Sequence, residues 1–261
     1  MLIGSNCDNN SPTIIDTDGA IRWVGTAGVS NKVSEFFDNA IYQAQGPRLL
    51  RVEFDGEVSV VADYSTIGVE GFHHNIDPGK AGLLLGVNTH DYSQSVLLDV
   101  NAAGEVKKHW NLVQIIREAM IAGGDDPSGF VYPQNQAWFH NNSAVYRGAD
   151  DSVVLSSREN FVIRLDYSTS AIKWIIGDTR KKWYQYPSLR KYALTLTPGG
   201  IAASGQHTVS IGKDGTILLM DKGRGSTNQI PRGPTRPYAA ARKYKISSPS
   251  QSESARLRGS R

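Results

Sequence analysis

The chain has 261 residues, 39% of them hydrophobic and 20% charged, an ordinary globular composition, and no apolar run approaches the ~18 residues that a membrane-spanning helix needs. Its net charge of +3 is local: residues 232–261 hold eight of the 28 Lys/Arg residues and one of the 25 acids, which leaves 20 bases against 24 acids elsewhere. That basic stretch has neither stacking aromatics nor a reading motif, so nucleic acid is not an expected partner.

In chain order, Met1-Leu2-Ile3-Gly4-Ser5 lacks the basic region and the apolar stretch of a signal peptide. Cys7 is the single cysteine, so no internal disulfide is expected. Next comes a phrase that recurs: an apolar residue and Asp, a turn, then a strand ending in Trp. Its copies run from Ile15-Asp16 to Trp23, Leu98-Asp99 to Trp110 and Leu165-Asp166 to Trp174, with a weaker one at Val52 to Val58. Each predicts a β-hairpin whose Asp bonds turn amides.

A second phrase precedes the first in each unit: a histidine, a turn, then an aliphatic strand. It reads His74 to Leu83-Leu84-Leu85, His140 to Val153-Val154-Leu155, and His207 to Ile217-Leu218-Leu219. Between the copies, Leu112 to Ala122 has the apolar spacing of an amphipathic helix, and 178–195 is rich in charge and aromatics, so both are expected as inserted loops or short helices. After Gly223 the strand pattern fades. Three prolines lie in 226–238, and 247–261 is rich in Ser and Arg, a composition that predicts disorder.

Units supplying about four short strands each predict an all-β fold of β-propeller type, whose blades run to ~40–50 residues. The histidine spacings, 66 and 67 residues, exceed one such blade because of the insertions. About four blades are accounted for, so the expected organisation is a partial propeller over residues 1–225 and a disordered tail over 226–261. In a propeller the first strand of every blade lines the central channel, so His74, His140 and His207 are expected to converge.

The site phrases are Gly71-Phe72-His73-His74-Asn75, Trp138-Phe139-His140-Asn141-Asn142-Ser143, Ser156-Ser157-Arg158-Glu159-Asn160 and Gly205-Gln206-His207-Thr208. The last three resemble the motifs of bacterial arylsulfate sulfotransferases, over roughly residues 12–223. The resemblance implies a six-bladed propeller that moves a sulfuryl group from an aryl sulfate to a phenol by a ping-pong route, without a nucleotide sulfate donor, metal or cofactor. It implies that His207 is the residue transiently sulfated, which suits a neutral imidazole. His140 would be the general acid and base, Arg158 a bidentate clamp on the sulfate oxygens, and His74 and Asn142 hydrogen-bond donors to sulfate. Expected partners are therefore an aryl sulfate donor and a phenol acceptor, and the resemblance suggests a periplasmic or exported protein.

Three histidines also suit catalytic zinc, but a neighbouring arginine and the lack of a His-Glu-x-x-His run favour an anionic substrate. The chain departs from the family pattern at Ala137, at Asn75 and at Lys222, and it has no cysteine where exported members can form a disulfide. The alternative reading is a non-catalytic or decayed propeller that binds an aromatic anion or a protein. Hydrolysis, with water as acceptor, is a third.

Overall fold

The structure is a computed structural model that describes residues 2–3, 12–25, 33–132, 137–247 and 256–260; Cys7 lies outside them. Among the described residues five sheets follow one another along the chain, antiparallel but for one parallel pair in the last. The first has three strands, β1 (Leu2–Ile3), β2 (Thr13–Ile15) and β3 (Ile21–Val24); the second is the meander β4 (Ser34–Phe37), β5 (Ala40–Gln45), β6 (Arg48–Val52) and β7 (Val58–Asp63). The third consists of β8 (Val69–Pro78), β9 (Leu83–Thr89), β10 (Val96–Val100) and β11 (Val106–Asn111), and leads into helix α1 (Leu112–Ala122). The fourth is β12 (Asn141–Arg147), β13 (Ser152–Ser157), β14 (Val162–Asp166) and β15 (Ile172–Ile176), followed by the one-turn helix α2 (Pro187–Arg190) and the short strand β16 (Thr195–Leu196). The last sheet comprises β17 (Gln206–Ile211), β18 (Ile217–Asp221), β19 (Ala240–Ser247) and β20 (Arg256–Ser260), with β16 added parallel to β20.

Successive four-stranded meanders are propeller blades. The chain is all-β with a fold of β-propeller type, and among the described residues it has four blade-like sheets and the three-stranded one, where the resemblance implies six blades. Two compact units divide it: residues 1–90 with 96–109, and residues 91–95 with 110–261. Among the described residues no helix is long and apolar enough to cross a membrane.

The recurring Asp phrases form the last two strands of their sheets, and their turns explain why. Asp16 Oδ1 accepts from the amides of Asp18 and Ala20, both at 2.9 Å, and Asp166 Oδ1 accepts from Ser168 and Thr169 at 3.1 and 3.0 Å. The middle copy differs. There Asn101 Oδ1 accepts from Ala103 and Glu105, while Asp99 is fully buried and accepts from the Ala81 amide. Asp99 therefore ties down the β8–β9 turn rather than its own.

Helix α1 spans the predicted residues, with Asn111 capping its start through the Gln114 amide and Leu112, Val113, Ile116 and Met120 buried. At its end Gly123 permits a close approach, since a Cβ there would lie 2.3 Å from Ser188 Cβ in α2. The 178–195 insertion is more than a surface loop. Its Trp183 and Leu189 are fully buried, and Trp183 stacks edge-on against Phe161, with the rings 5.4 Å apart.

Residues 226–247 depart from the expected disordered tail. Ser226 and Gln229 are buried, and β19 pairs with β18 along its length, Tyr244 lying opposite Ile217. The inward positions of β19 alternate as in any half-buried strand, but one of them is Arg242, whose charge is answered by buried Asp221 at 2.8 Å. A paired cation at a core position hid the strand's period. Tyr244 joins Val154, Val162, Trp174, Ile176, Val209, Ile217 and Leu219 in one apolar cluster. That cluster packs the fourth sheet against the fifth and so sets their first strands, β12 and β17, side by side.

Candidate active site

Each histidine phrase lies on the first strand of its sheet, at a break in pairing. The register shifts between Phe72 and Ile76 in β8, between Asn141 and Ser143 in β12, and between His207 and Ser210 in β17. His140 immediately precedes β12 and His207 is the second residue of β17, whereas His74 is mid-strand in β8. His74, His140 and Thr208 all take the left-handed conformation, with φ of 61°, 52° and 55°. Such strain in non-glycine residues costs ~1–3 kcal/mol each and concentrates at functional sites, and bulges re-aim side chains beside active sites.

In the second unit the His140 and His207 ring centroids are 6.3 Å apart at 63°. Below them Trp138 and Phe139 are fully buried and pack on Phe130 and Phe161, which anchors the backbone leading into His140. Asn142 Nδ2 donates to the Gln206 carbonyl at 2.7 Å, and Ser143 Oγ accepts from the Val209 amide at 2.7 Å. These two bonds join β12 to β17 on either side of His207. Asn142 is thus buried in a structural bond that sequence reasoning did not foresee.

His207 is half-buried, with Nδ1 3.1 Å from the Gly205 carbonyl. A carbonyl only accepts, so Nδ1 carries the proton and the imidazole lone pair belongs to Nε2. Burial lowers the His207 pKa below its ordinary 6.5, opposed by the Gly205 bond and reinforced by the charges of Lys222 and Arg158. The ring is neutral near physiological pH.

Gly205 makes this possible, because its φ is +65° and a Cβ would lie 2.8 Å from the Arg224 carbonyl oxygen. Gly205→Ala is expected to displace the His207 clamp, costing on the order of 1–3 kcal/mol in stability and roughly tenfold in any His207-dependent rate. Thermal unfolding alongside steady-state kinetics reads both.

Arg158 is one-third exposed; its Nε and Nη2 donate to Glu159 Oε1 at 2.8 and 2.6 Å, and Nη2 also donates to Thr227 Oγ1 at 3.2 Å. The bidentate edge expected for sulfate is therefore engaged by Glu159. That carboxylate is 1% exposed and also accepts from Ser226 Oγ, Thr227 Oγ1 and the amides of Thr227 and Asn228. Burial raises its pKa, but the bonds from Ser226, Thr227, Arg158 and Asn228 outweigh it and hold Glu159 below its ordinary value. Beneath it, fully buried Lys181 donates to the Glu159 carbonyl at 3.0 Å, and burial pulls its pKa down to about 8 against the pull of Glu159, Asp178 and Asp221.

Lys181, Ser226 and Thr227 went unnoticed in the sequence, and Glu159 stood in the Arg158 phrase without a role. Glu159 follows Arg158 directly, but its other partners lie 67 to 69 residues later, in the stretch read as tail. His74 sits in the first unit, half-buried, its ring 4.2 Å from that of His73. His90 and His109 are exposed.

A neutral imidazole of fixed tautomer on β17, a second imidazole beside it at the start of β12 and a held guanidinium at the end of β13 make up the site. The family model of the arylsulfotransferases (ASST) matches residues 2–252. The chain belongs to the arylsulfotransferase family. Among curated relatives, the arylsulfate sulfotransferase AssT of Escherichia coli O6:H1 is 23% identical over 89% of this chain and 50% of its own length. AssT of Lelliottia amnigena is 21% identical over the same shares. The chain spans about half the length of the curated arylsulfotransferases it matches. Among solved structures it is similar in fold to Kluyveromyces lactis Hsv2 with loop 6CD replaced by a Gly-Ser linker. That match has a TM-score of 0.50 and 7% identity, covering 100% of this chain and 67% of that one.

Proposed function

We propose that this arylsulfotransferase-family chain moves a sulfuryl group from an aryl sulfate to a phenol through a sulfated His207. The observation that carries the reading is the Nδ1–Gly205 bond, which presents the Nε2 lone pair of a neutral ring. Nε2 attacks sulfur and the S–O bond to the aryl oxygen breaks; His140 gives its proton to the departing phenolate. In the second half-reaction His140 takes the proton of an acceptor phenol, whose oxygen attacks sulfur as the N–S bond breaks. Charge on the sulfate oxygens meets the Arg158 guanidinium. Since Glu159 occupies its Nε–Nη2 edge, the Nη1–Nη2 edge is the one offered, and a bidentate clamp there requires Thr227 Oγ1 to yield its bond from Nη2.

Initial rates with 4-nitrophenyl sulfate and varied phenol are expected to give parallel double-reciprocal lines. Intersecting lines would require both substrates bound together and would exclude the sulfated enzyme. His140→Ala is expected to slow transfer by ~10²–10⁴-fold. The loss should be larger for phenyl sulfate than for 4-nitrophenyl sulfate, because a weakly basic leaving group needs its proton less. Equal losses with the two donors would remove His140 from the acid role.

A depressed His207 pKa also has a pH signature. The neutral form persists as pH falls, so the acid limb of kcat/KM for the donor is expected below the ordinary 6.5. An acid limb above that value would contradict a buried, neutral nucleophile.

A further inference from the structure

The loop from Lys222 to Ala239 borders a cleft of about 550 Å³ whose lining includes Lys222, Arg224, Arg232 and Arg236 and, among the described residues, no acidic side chain. The cleft adjoins the site at three points. Thr227, on its wall, accepts from Arg158; the charge of Lys222 reaches His207; and Arg224 Cβ lies against Gly205, the residue that holds the His207 ring.

These cations stand on fixed backbone. The Ser226 amide donates to the Arg232 carbonyl at 2.7 Å, the Arg224 amide to Ser204 at 3.2 Å and the Arg236 amide to Gly223 at 2.6 Å. Gly223 and Gly225 let the strands of the loop touch, since a Cβ would come within 2.4 Å of the Tyr238 carbonyl and 2.9 Å of the Arg232 carbonyl. Arg236 is committed to Asp221, so the field of the cleft comes from Lys222, Arg224 and Arg232. Tyr238, 48% exposed, adds an aromatic face beside them.

A rigid, one-signed wall concentrates anions, and one sulfate already has Arg158. We propose that this cleft is the subsite for the aromatic portion of donor and acceptor, and that it selects phenols bearing a second anionic group such as a ring carboxylate. Arg224 and Arg232 pair with the carboxylate while the ring lies along Tyr238. The inference rests on the sulfuryl-transfer reading for its kinetics but not for its binding.

With 4-nitrophenyl sulfate as donor, 3-hydroxybenzoate and phenol are compared as acceptors in the full chain and in Arg224→Ala/Arg232→Ala. The expected kcat/KM ratio favours 3-hydroxybenzoate by about tenfold, as for one charge-assisted pair, and collapses toward unity in the variant. A wild-type ratio near one, or a preference that survives the double change, overturns the subsite. If neither acceptor is sulfated the transfer reading fails. Calorimetry with 4-sulfooxybenzoate and phenyl sulfate then decides the subsite alone: about tenfold tighter binding of the dianion, lost in the variant, sustains it, and equal affinities overturn it.

Discussion

Replacing His207 by asparagine is expected to abolish sulfuryl transfer, lowering kcat on the order of 10⁴-fold or more, the scale seen when a covalent nucleophile is removed. Asparagine can keep the Nδ1-side bond to the Gly205 carbonyl through its amide, so β17 and its bonds to β12 should persist. The loss then reports chemistry rather than folding. Turnover of 4-nitrophenyl sulfate in the presence of phenol is the readout, with the circular dichroism melt as control. Transfer surviving at even one-tenth of the wild-type rate would put the nucleophile elsewhere.

The largest expected effect on stability falls on a residue to which the sequence attached no role. Glu159→Ala removes the acceptor for Arg158, Ser226, Thr227 and Asn228 at once and takes from buried Lys181 the strongest of its three countercharges, leaving Asp178 and Asp221. Breaking a buried ionic network by deleting one partner costs about 3–5 kcal/mol, which at about 2–4 °C per kcal/mol for a chain of this size corresponds to a fall in Tm of roughly 10 °C. Because the folded carboxylate titrates below its ordinary 4.5, its contribution is present above that pH and fades as pH falls through the folded value. The gap in Tm between wild type and variant should therefore narrow in acid. A variant that melts within a degree or two of wild type at neutral pH would mean that Ser226–Asn228 is not held by this carboxylate. Glu159→Gln retains an acceptor oxygen and is expected to fall between the two, with Arg158 less firmly oriented.

Much of this architecture is legible in the residues, and the exceptions have specific causes. Helix α1 could be read because its apolar spacing is uninterrupted and Asn111 and Gly123 mark its ends. The hairpins could be read because Asp16 and Asp166 use the same turn chemistry. In the middle copy Asn101 took over that task, and Asp99 was drawn inward to the β8–β9 turn; two residues with similar acceptors so close in sequence cannot be told apart without the fold. Strand β19 was masked by Arg242, an inward cation whose partner, Asp221, lies on the neighbouring strand. The site divides in the same way. His140, His207 and Arg158 carry their chemistry in their side chains, and short motifs surround them. The left-handed turns at His140 and Thr208 leave no mark, because neither position is a glycine. Glu159 acquires its meaning only when residues 226–228 fold back onto it.

Insertion 178–195 shows the limit of reading polarity as exposure. Its charges sit among aromatic residues, and it is Trp183, against Phe161 and below Phe139, that roots the segment in the core. The inserted loop therefore supports the His140 strand from beneath. A loop placed there can influence the site without touching substrate.

The proposed reaction turns on the passage of the sulfuryl group through His207 Nε2. The most direct test mixes the protein with excess 4-nitrophenyl sulfate and no acceptor, quenches in base within the first turnover, and maps the product by peptide mass spectrometry. The expected result is a burst of one 4-nitrophenol per chain and one SO₃ group on the peptide carrying His207, removed when phenol is added before the quench. Release of 4-nitrophenol with no burst and no sulfated His207 peptide would contradict it.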